Sequence, residues 1–389
     1  MCSKHSTDTC ARRFDRPDHR ADRGEVGEAM DFGLFYEICV PRPWDPGKEA
    51  QIIRNVVEQV RYAEEMGFRY VWLTEHHFLE EFSHCSAPEV LLGALSQVTS
   101  EMRLGHGVVL TPPRYNHPAR IAERCAMIDC LSNGRLEIGT GRSVTPIELE
   151  GFGIDANHAR EMWLEGAESL VRLLTEEQVE LDGEFVSMPA RTVVPRCVQQ
   201  PHPPMWMAGT SPSTIERAAA NGLGVLFFAH GLLPEQLADN VAEYRKRIQD
   251  AAPIGKVVNN RVAGFVNGLC GENDRETKEV AGVAAFEYML MGMRQSRWPR
   301  DEQPPRSYEY TVDAMWHGED AFRQMGPDGM IDQGMIMAGN PDRCHELVKR
   351  YADVGVDQLI VHMQASNIAH ERIMESIRLF GTHVIPEYA

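Results

Sequence analysis

The sequence predicts an α/β protein built as a closed (β/α)8 barrel, with insertions after strand four and after strand seven. Three observations carry that expectation. Short apolar runs rich in β-formers alternate strictly with longer segments of helical period, the pattern of a parallel sheet covered by helices. Eight such units follow one another without an internal linker, the number that closes a barrel. The run Val71, Trp72, Leu73 ends abruptly in Glu75, His76 and His77, so polar chemistry sits at the carboxyl end of a strand, where α/β sheets and barrels carry their sites. A doubly wound sheet of the same content is the structural rival.

The first strand is read at 31–37, closed by the loop VPRPWDPG, where three prolines and a glycine forbid regular structure. Helical period begins at Lys48, with Ile53, Val56, Val57, Val60 and Ala63 on one stripe and Gly67 as the C-terminal cap. Strand two spans 69–74 and a helix entered through Pro88 spans 87–99. Strand three, 103–110, stops at Thr111-Pro112-Pro113, and a helix over 118–131 ends at Asn133-Gly134. Strand four, 135–140, feeds the glycine-flanked loop GTGRSVTP. A helix near 157–174 is followed by a hairpin at VELDGEFVSM. Strands five, six and seven are placed at 205–208, 225–229 and 261–269, with helices at 212–220, 234–251 and 274–293. Residues 294–330 are polar, rich in Trp, Pro and Gly and without period, which predicts a mobile insertion or lid. Asn340 with Pro341 opens another helix, strand eight falls at 358–362, and the last helix spans 370–384.

Composition narrows the function classes. Lys and Arg number 39 against 57 Asp and Glu, a net charge of −18, and no basic stripe is present, so nucleic acid is not expected as a partner. The nine cysteines are scattered and form no CxxC pair, which fits reduced thiols and a cytoplasmic location rather than disulfides or structural zinc. No apolar run reaches membrane-spanning length, and no membrane association is expected. Residues 1–30 mix basic and acidic side chains with almost nothing apolar and read as a disordered leader, leaving 31–389 as a single domain. There is no GxGxxG opening a helix, no GxxxxGK[ST], no HExxH and no GxSxG. Those absences remove the common nucleotide, protease and hydrolase readings.

Taken alone, Glu75-His76-His77 permits three chemistries: a general acid or base, structural histidines in the core and loop, or part of a metal site. Sequential residues do not easily converge on one ion, so no metal is expected.

Several motifs then fall together in order: FGLFYE, AEEMGFRYVWLTEHHF, SAPEVLLGAL, RLGHGVVLTP, HPARIAERCAMIDCLSNGRLEIGTGR, PPMWMAGTSPSTIERAA, AGNPDRCHELV and SIRLFGTHVIP. With them the chain, from Asp31 to its end, resembles the bacterial luciferase-like flavin-dependent monooxygenases (alkanal monooxygenase-like). The resemblance implies a TIM barrel that binds reduced FMN, supplied by a separate flavin reductase. Dioxygen is activated there through a flavin 4a-(hydro)peroxide, and one oxygen enters a small apolar organic substrate: an aldehyde, a ketone or a terpenoid-like molecule. FAD or a deazaflavin is the less favoured cofactor. It also implies a homodimer paired through early helices.

On that resemblance His76 matches the catalytic histidine, with Glu75 beside it, and Arg142 matches the arginine that grips the cofactor phosphate. Gly141 precedes that arginine where light-emitting members carry a cysteine, a departure that argues against luminescence. Thr210, Ser211 and Thr214 match a second phosphate-binding segment, where hydroxyls and free amides at a helix start suit an anion, although such residues are also ordinary caps. Gly107 and Val108 match a non-proline cis peptide under the flavin ring. Trp44, His77 and Trp316 are expected to line the substrate pocket. Two rival functions stand beside this one: a deazaflavin-dependent dehydrogenase of the same superfamily, and a non-catalytic flavin-binding protein.

Overall fold

The computed structural model describes residues 12–13, 29–209, 211–228, 233–299 and 303–388, with the backbone alone for 12–13, Pro212 and 310–317. The expected leader therefore lies outside the described residues, except for Arg12, Arg13, Ala29 and Met30.

Eight parallel strands form the barrel: β1 (Asp31–Tyr36), β2 (Tyr70–Leu73), β3 (Arg103–Leu110), β4 (Leu136–Gly141), β5 (Met205–Ala208), β6 (Gly224–Phe227), β7 (Val262–Cys270) and β8 (Gln358–His362). Each pairs with the next, and β8 returns to β1 in the register Gln358↔Asp31, Val361↔Leu34, so the eight strands close on themselves. The closed barrel is as expected, and the doubly wound alternative is excluded by the β8–β1 pairing.

The strands are buried on both faces, which explains their continuous apolar runs. Outward side chains such as Phe32, Leu34, Val71 and Leu104 meet the helices, whose apolar stripes supply Val56, Val60, Leu92 and Ile121 to the same core. Inward side chains form a second cluster of Phe35, Tyr70, Trp72, Trp206, Leu226 and Phe265 that fills the barrel. Trp72 occupies the space beside Gly105, where an added Cβ would fall 2.2 Å from its ring. The amino-terminal end is closed by polar contacts, among them Arg261 Nη2 to Asp31 Oδ2 at 2.7 Å and Trp206 Nε1 to Glu137 Oε2 at 2.6 Å.

Between β4 and β5 lie a short helix, Pro146–Gly151, a long one, Ala159–Thr175, and the expected hairpin, Val179–Asp182 with Ser187–Arg191. The segment after β7 departs from expectation. Instead of an irregular stretch over 294–330, a helix runs Glu309–Gln333, broken only where Gly326 takes φ 68° and ψ 173° before Pro327. Gly318, Gly326, Pro327 and Gly329 erase the helical period in the sequence. Buried Glu319 pairs with Arg294 and Arg297 from outside the helix and with Arg323 one turn along it. A further strand, Ile336–Gly339, pairs with the carboxyl half of β7. Asn340 caps the next helix by accepting from the amide of Arg343.

Candidate active site

The loop after β2 brings His76 to the mouth of the barrel. Its Nδ1 lies 2.9 Å from Glu148 Oε1, and its Nε2 lies 3.7 Å from Glu37 Oε2. Glu37 sits just past the end of β1, and Glu148 on the short helix that Pro146 opens after β4. Both carboxyl groups are buried. Glu148 Oε1 also accepts the amide of His77 at 2.7 Å, and its Oε2 accepts the hydroxyls of Ser143 and Thr145.

Those contacts set the charges. Burial opposes ionisation of Glu148, but His76 and the two hydroxyls outweigh it and bring the carboxyl down to about 2. Burial also opposes charging of His76, yet Glu148, Glu37 and more weakly Glu75 lift the imidazole to about 9. For Glu37 burial prevails and its value is raised, with His76 and the Tyr288 hydroxyl pulling the other way. At neutral pH the ring therefore carries both protons and can act as an acid.

Glu75 does not hold His76. Its Oε2 accepts the amide of Leu110 at 2.8 Å, and its Oε1 accepts from Asn116 Nδ2 at 2.8 Å and faces His77 Nε2 at 3.1 Å. Consecutive side chains leave the strand end in different directions, so Glu75 braces β3 while the neighbour reaches the mouth. The His77 ring packs on Tyr115 and Phe152 beneath the loop, apart from the His76 imidazole.

A wall of rings runs from His76 into the barrel: Phe82 at 6.0 Å, Tyr288 stacked on Phe82 at 4.9 Å, His362 at 4.5 Å from Tyr288, then Phe35 and Phe228. None of these was singled out in the sequence. Trp44 instead anchors the rim, donating to the Val40 carbonyl at 2.9 Å beneath the Arg42 guanidinium. The Trp316 side chain lies outside the described residues.

Gly107-Val108 is a cis peptide at the carboxyl end of β3. Val108 reaches across to β4, where a Cβ on Gly141 would stand 2.5 Å from its Cγ2. A side chain at 141 would therefore contend with Val108 for the same space.

Arg142 follows Gly141, with its guanidinium 4.3 Å from the Tyr308 ring centre and Nη2 donating to the Ser307 carbonyl at 2.9 Å. Ser211 caps the helix Pro212–Ala220 by accepting from the amide of Thr214, and its hydroxyl is 3.0 Å from that of Thr214. Thr210 lies outside the described residues. Arg217, on the same helix, is held below the ordinary guanidinium value, first by burial and then by repulsion from Arg160 and Arg142. Arg142 and the helix start capped by Ser211 are features that suit a phosphate dianion, which takes charge-assisted hydrogen bonds.

The sequence reading missed Glu37, Glu148, Arg160 and Arg217. Two carried a local signal: Thr145-x-x-Glu148 has the spacing of a capping box, and Arg217 follows Thr214 by three helical positions. Glu37 and Arg160 carried none.

Luciferase-like monooxygenase is the family whose profile matches residues 30–358. The alkanal monooxygenase alpha chain of Photorhabdus luminescens is 31% identical over 363 residues, 92% of this chain and 96% of that protein. The oxygenase component of a flavin-dependent trigonelline monooxygenase from Acinetobacter baylyi is 33% identical over 198 residues, 50% of this chain and 53% of its own. Among solved structures, the monooxygenase RslO1 from Streptomyces bottropensis superposes with a TM-score of 0.75 at 26% identity, covering 92% of this chain and 100% of that one. An oxidoreductase by fold and kinship, the chain belongs to the luciferase-like monooxygenase family. Among the described residues, no helix is long and apolar enough to cross a membrane.

Proposed function

We propose that this chain is the oxygenase of a two-component flavin-dependent monooxygenase that takes reduced FMN from a separate reductase and oxygenates a small apolar substrate. One observation carries the reading. Residues 142–148 supply both Arg142 and Glu148, which holds the imidazole, so a phosphate on Arg142 and the acid–base group would share one loop. Arg142, Arg160, Arg217, Ser211 and Thr214 would hold the phosphate, and Gly107-Val108 with Gly141 would form the surface under the ring. Reduced flavin, when bound, supplies the electrons for dioxygen activation, after which one oxygen enters the substrate and the other leaves as water. The chain's own part is to bind, to exclude water, and to hold a proton on His76 Nε2 for delivery to developing negative charge on oxygen. The rings of Phe35, Phe82, Phe228 and Tyr288 support an apolar or aromatic substrate.

The direct test mixes purified protein, chemically reduced FMN and isotopically labelled dioxygen with panels of aldehydes, ketones, terpenoids and aromatic substrates. One labelled oxygen in an organic product is the expected result. A deazaflavin-dependent dehydrogenase is the second reading, since the fold by itself serves both. Hydride transfer between an alcohol and deazaflavin without oxygen uptake, and no labelled product with FMN, would establish that reading instead.

Val90, Met127 and Leu131 stand exposed on the helices Pro88–Leu95 and Pro118–Leu131, which supports a homodimer formed through this face. Light scattering on the eluting protein tests it, and a monomer mass at micromolar concentration overturns it. Free thiols at the described cysteines support a cytoplasmic enzyme.

A further inference from the structure

Two carboxyl groups face the two nitrogens of one imidazole, and their surroundings differ. Glu148 accepts from His76 Nδ1, the His77 amide and two hydroxyls, which is the environment of a permanent carboxylate. The Glu37 carboxyl accepts from the Tyr288 hydroxyl at Oε1, 3.1 Å away, and the Ser83 hydroxyl, which donates to the Glu37 carbonyl at 2.7 Å, also favours the carboxylate. Its Oε2 is buried, has no hydrogen-bond partner among the described residues, and lies 3.7 Å from His76 Nε2. A buried oxygen left without a donor calls for an explanation.

We propose that Glu37 is a second proton-handling residue of the site, exchanging a proton with Nε2 of His76, while Glu148 positions the ring through Nδ1. In the exchange the Nε2–H bond breaks as an Oε2–H bond forms. An imidazolium–carboxylate pair becomes an imidazole–carboxylic acid pair, and the total charge does not change. The separation exceeds a direct hydrogen bond, so the proton passes through one oxygen, of water or of the reacting group, held between the two atoms.

The other titratable neighbours do not compete for this proton. Glu75 has its oxygens committed to Leu110, Asn116 and His77. Burial, and after it the Glu37 charge, pushes the thiols of Cys39 and Cys85 and the Tyr288 phenol upward, which keeps them neutral. Glu37 remains as the group matched to Nε2, and pairs of groups whose surroundings drive their proton affinities apart are how acid and base roles divide in a site.

Its use in turnover rests on the monooxygenase reading, but the proton exchange is measurable without cofactor. Full-length protein labelled with 15N-histidine, with the His76 signal assigned by its loss in His76→Asn, is titrated across neutral and alkaline pH. Glu37→Gln is expected to lower the His76 midpoint by roughly 1 unit, and Glu37→Asp to keep it near wild type. Turnover of Glu37→Gln should fall about 10- to 100-fold in kcat with little change in KM, and its pH profile should lose one limb. An unmoved midpoint in folded Glu37→Gln overturns the proposal. Should that variant fail to fold, Tyr288→Phe carries the test, with a smaller fall expected and an unmoved midpoint again decisive against the exchange. Failure of oxygenation in the wild type, by contrast, refutes the monooxygenase reading and leaves the titration result standing.

Discussion

Glu148 Oε1 lies 2.9 Å from Nδ1 of His76, although 72 positions separate the two residues in the chain. The contact ties the loop after β2 to the loop after β4. It also fixes which nitrogen of the ring faces Glu37.

Replacing His76 by Ala should leave flavin binding intact and lower turnover by roughly 10²- to 10⁴-fold, the usual share of a positioned acid or base. Flavin titration and steady-state rates on the same preparation check both halves, and wild-type turnover would remove His76 from the chemistry.

The pairing also predicts a pH window for stability. Glu148 is lowered from 4.5 to about 2, so its contribution is complete above 4.5 and is lost as pH falls toward 2. His76 is raised from 6.5 to about 9, so its contribution is complete below 6.5 and is lost as pH rises through 9. Glu148→Gln should therefore lower Tm most between pH 4.5 and 6.5, and the deficit should shrink above about 9. Thermal melts of both proteins across that range decide it, and a deficit independent of pH would count against the ion pair.

The arginine cradle separates binding from stability. Arg142→Ala removes charge-assisted hydrogen bonds worth about 1.5–3 kcal/mol, roughly 10- to 150-fold in FMN affinity. Arg217→Ala relieves burial of a charge and repulsion with Arg160 and Arg142, against the loss of attraction to Glu161, so the ligand-free protein should melt close to wild type while its stabilisation by FMN shrinks. Calorimetric titration and melting with and without FMN test the pair, and undiminished FMN stabilisation in both variants would sink the phosphate assignment.

At Gly141, Ala should cost about 1–3 kcal/mol through overpacking on Val108. Val108→Ala in the same chain should recover part of that loss, because the two side chains contend for one space. Denaturant unfolding of the two single variants and the double variant measures the coupling, and strict additivity would contradict it.

The barrel was legible because its strands are buried on both faces and therefore read as uninterrupted apolar runs, as at Val71–Leu73 and Gln358–His362. His76 and Arg142 were legible through motifs that stay contiguous in the chain. The helix Glu309–Gln333 was not, since glycines and a proline interrupt its period and its order comes from arginines on Glu319. The aromatic wall was missed for a related reason. Phe35, Phe82, Phe228 and Tyr288 sit in separate apolar segments, and only barrel closure brings their rings together.

By itself the sequence determined an eight-unit parallel barrel, a histidine at the carboxyl end of the second strand and an arginine after the fourth. Local period and short motifs encode those features, and they need no long-range contact to be read. Only the tertiary structure decided the partners: Glu148 and not Glu75 on His76 Nδ1, and Glu37 opposite Nε2, while Arg160 and Arg142 depress Arg217. Charges interact over a few ångströms of space whatever their separation along the chain, so the electrostatics of the site came into being when the barrel closed.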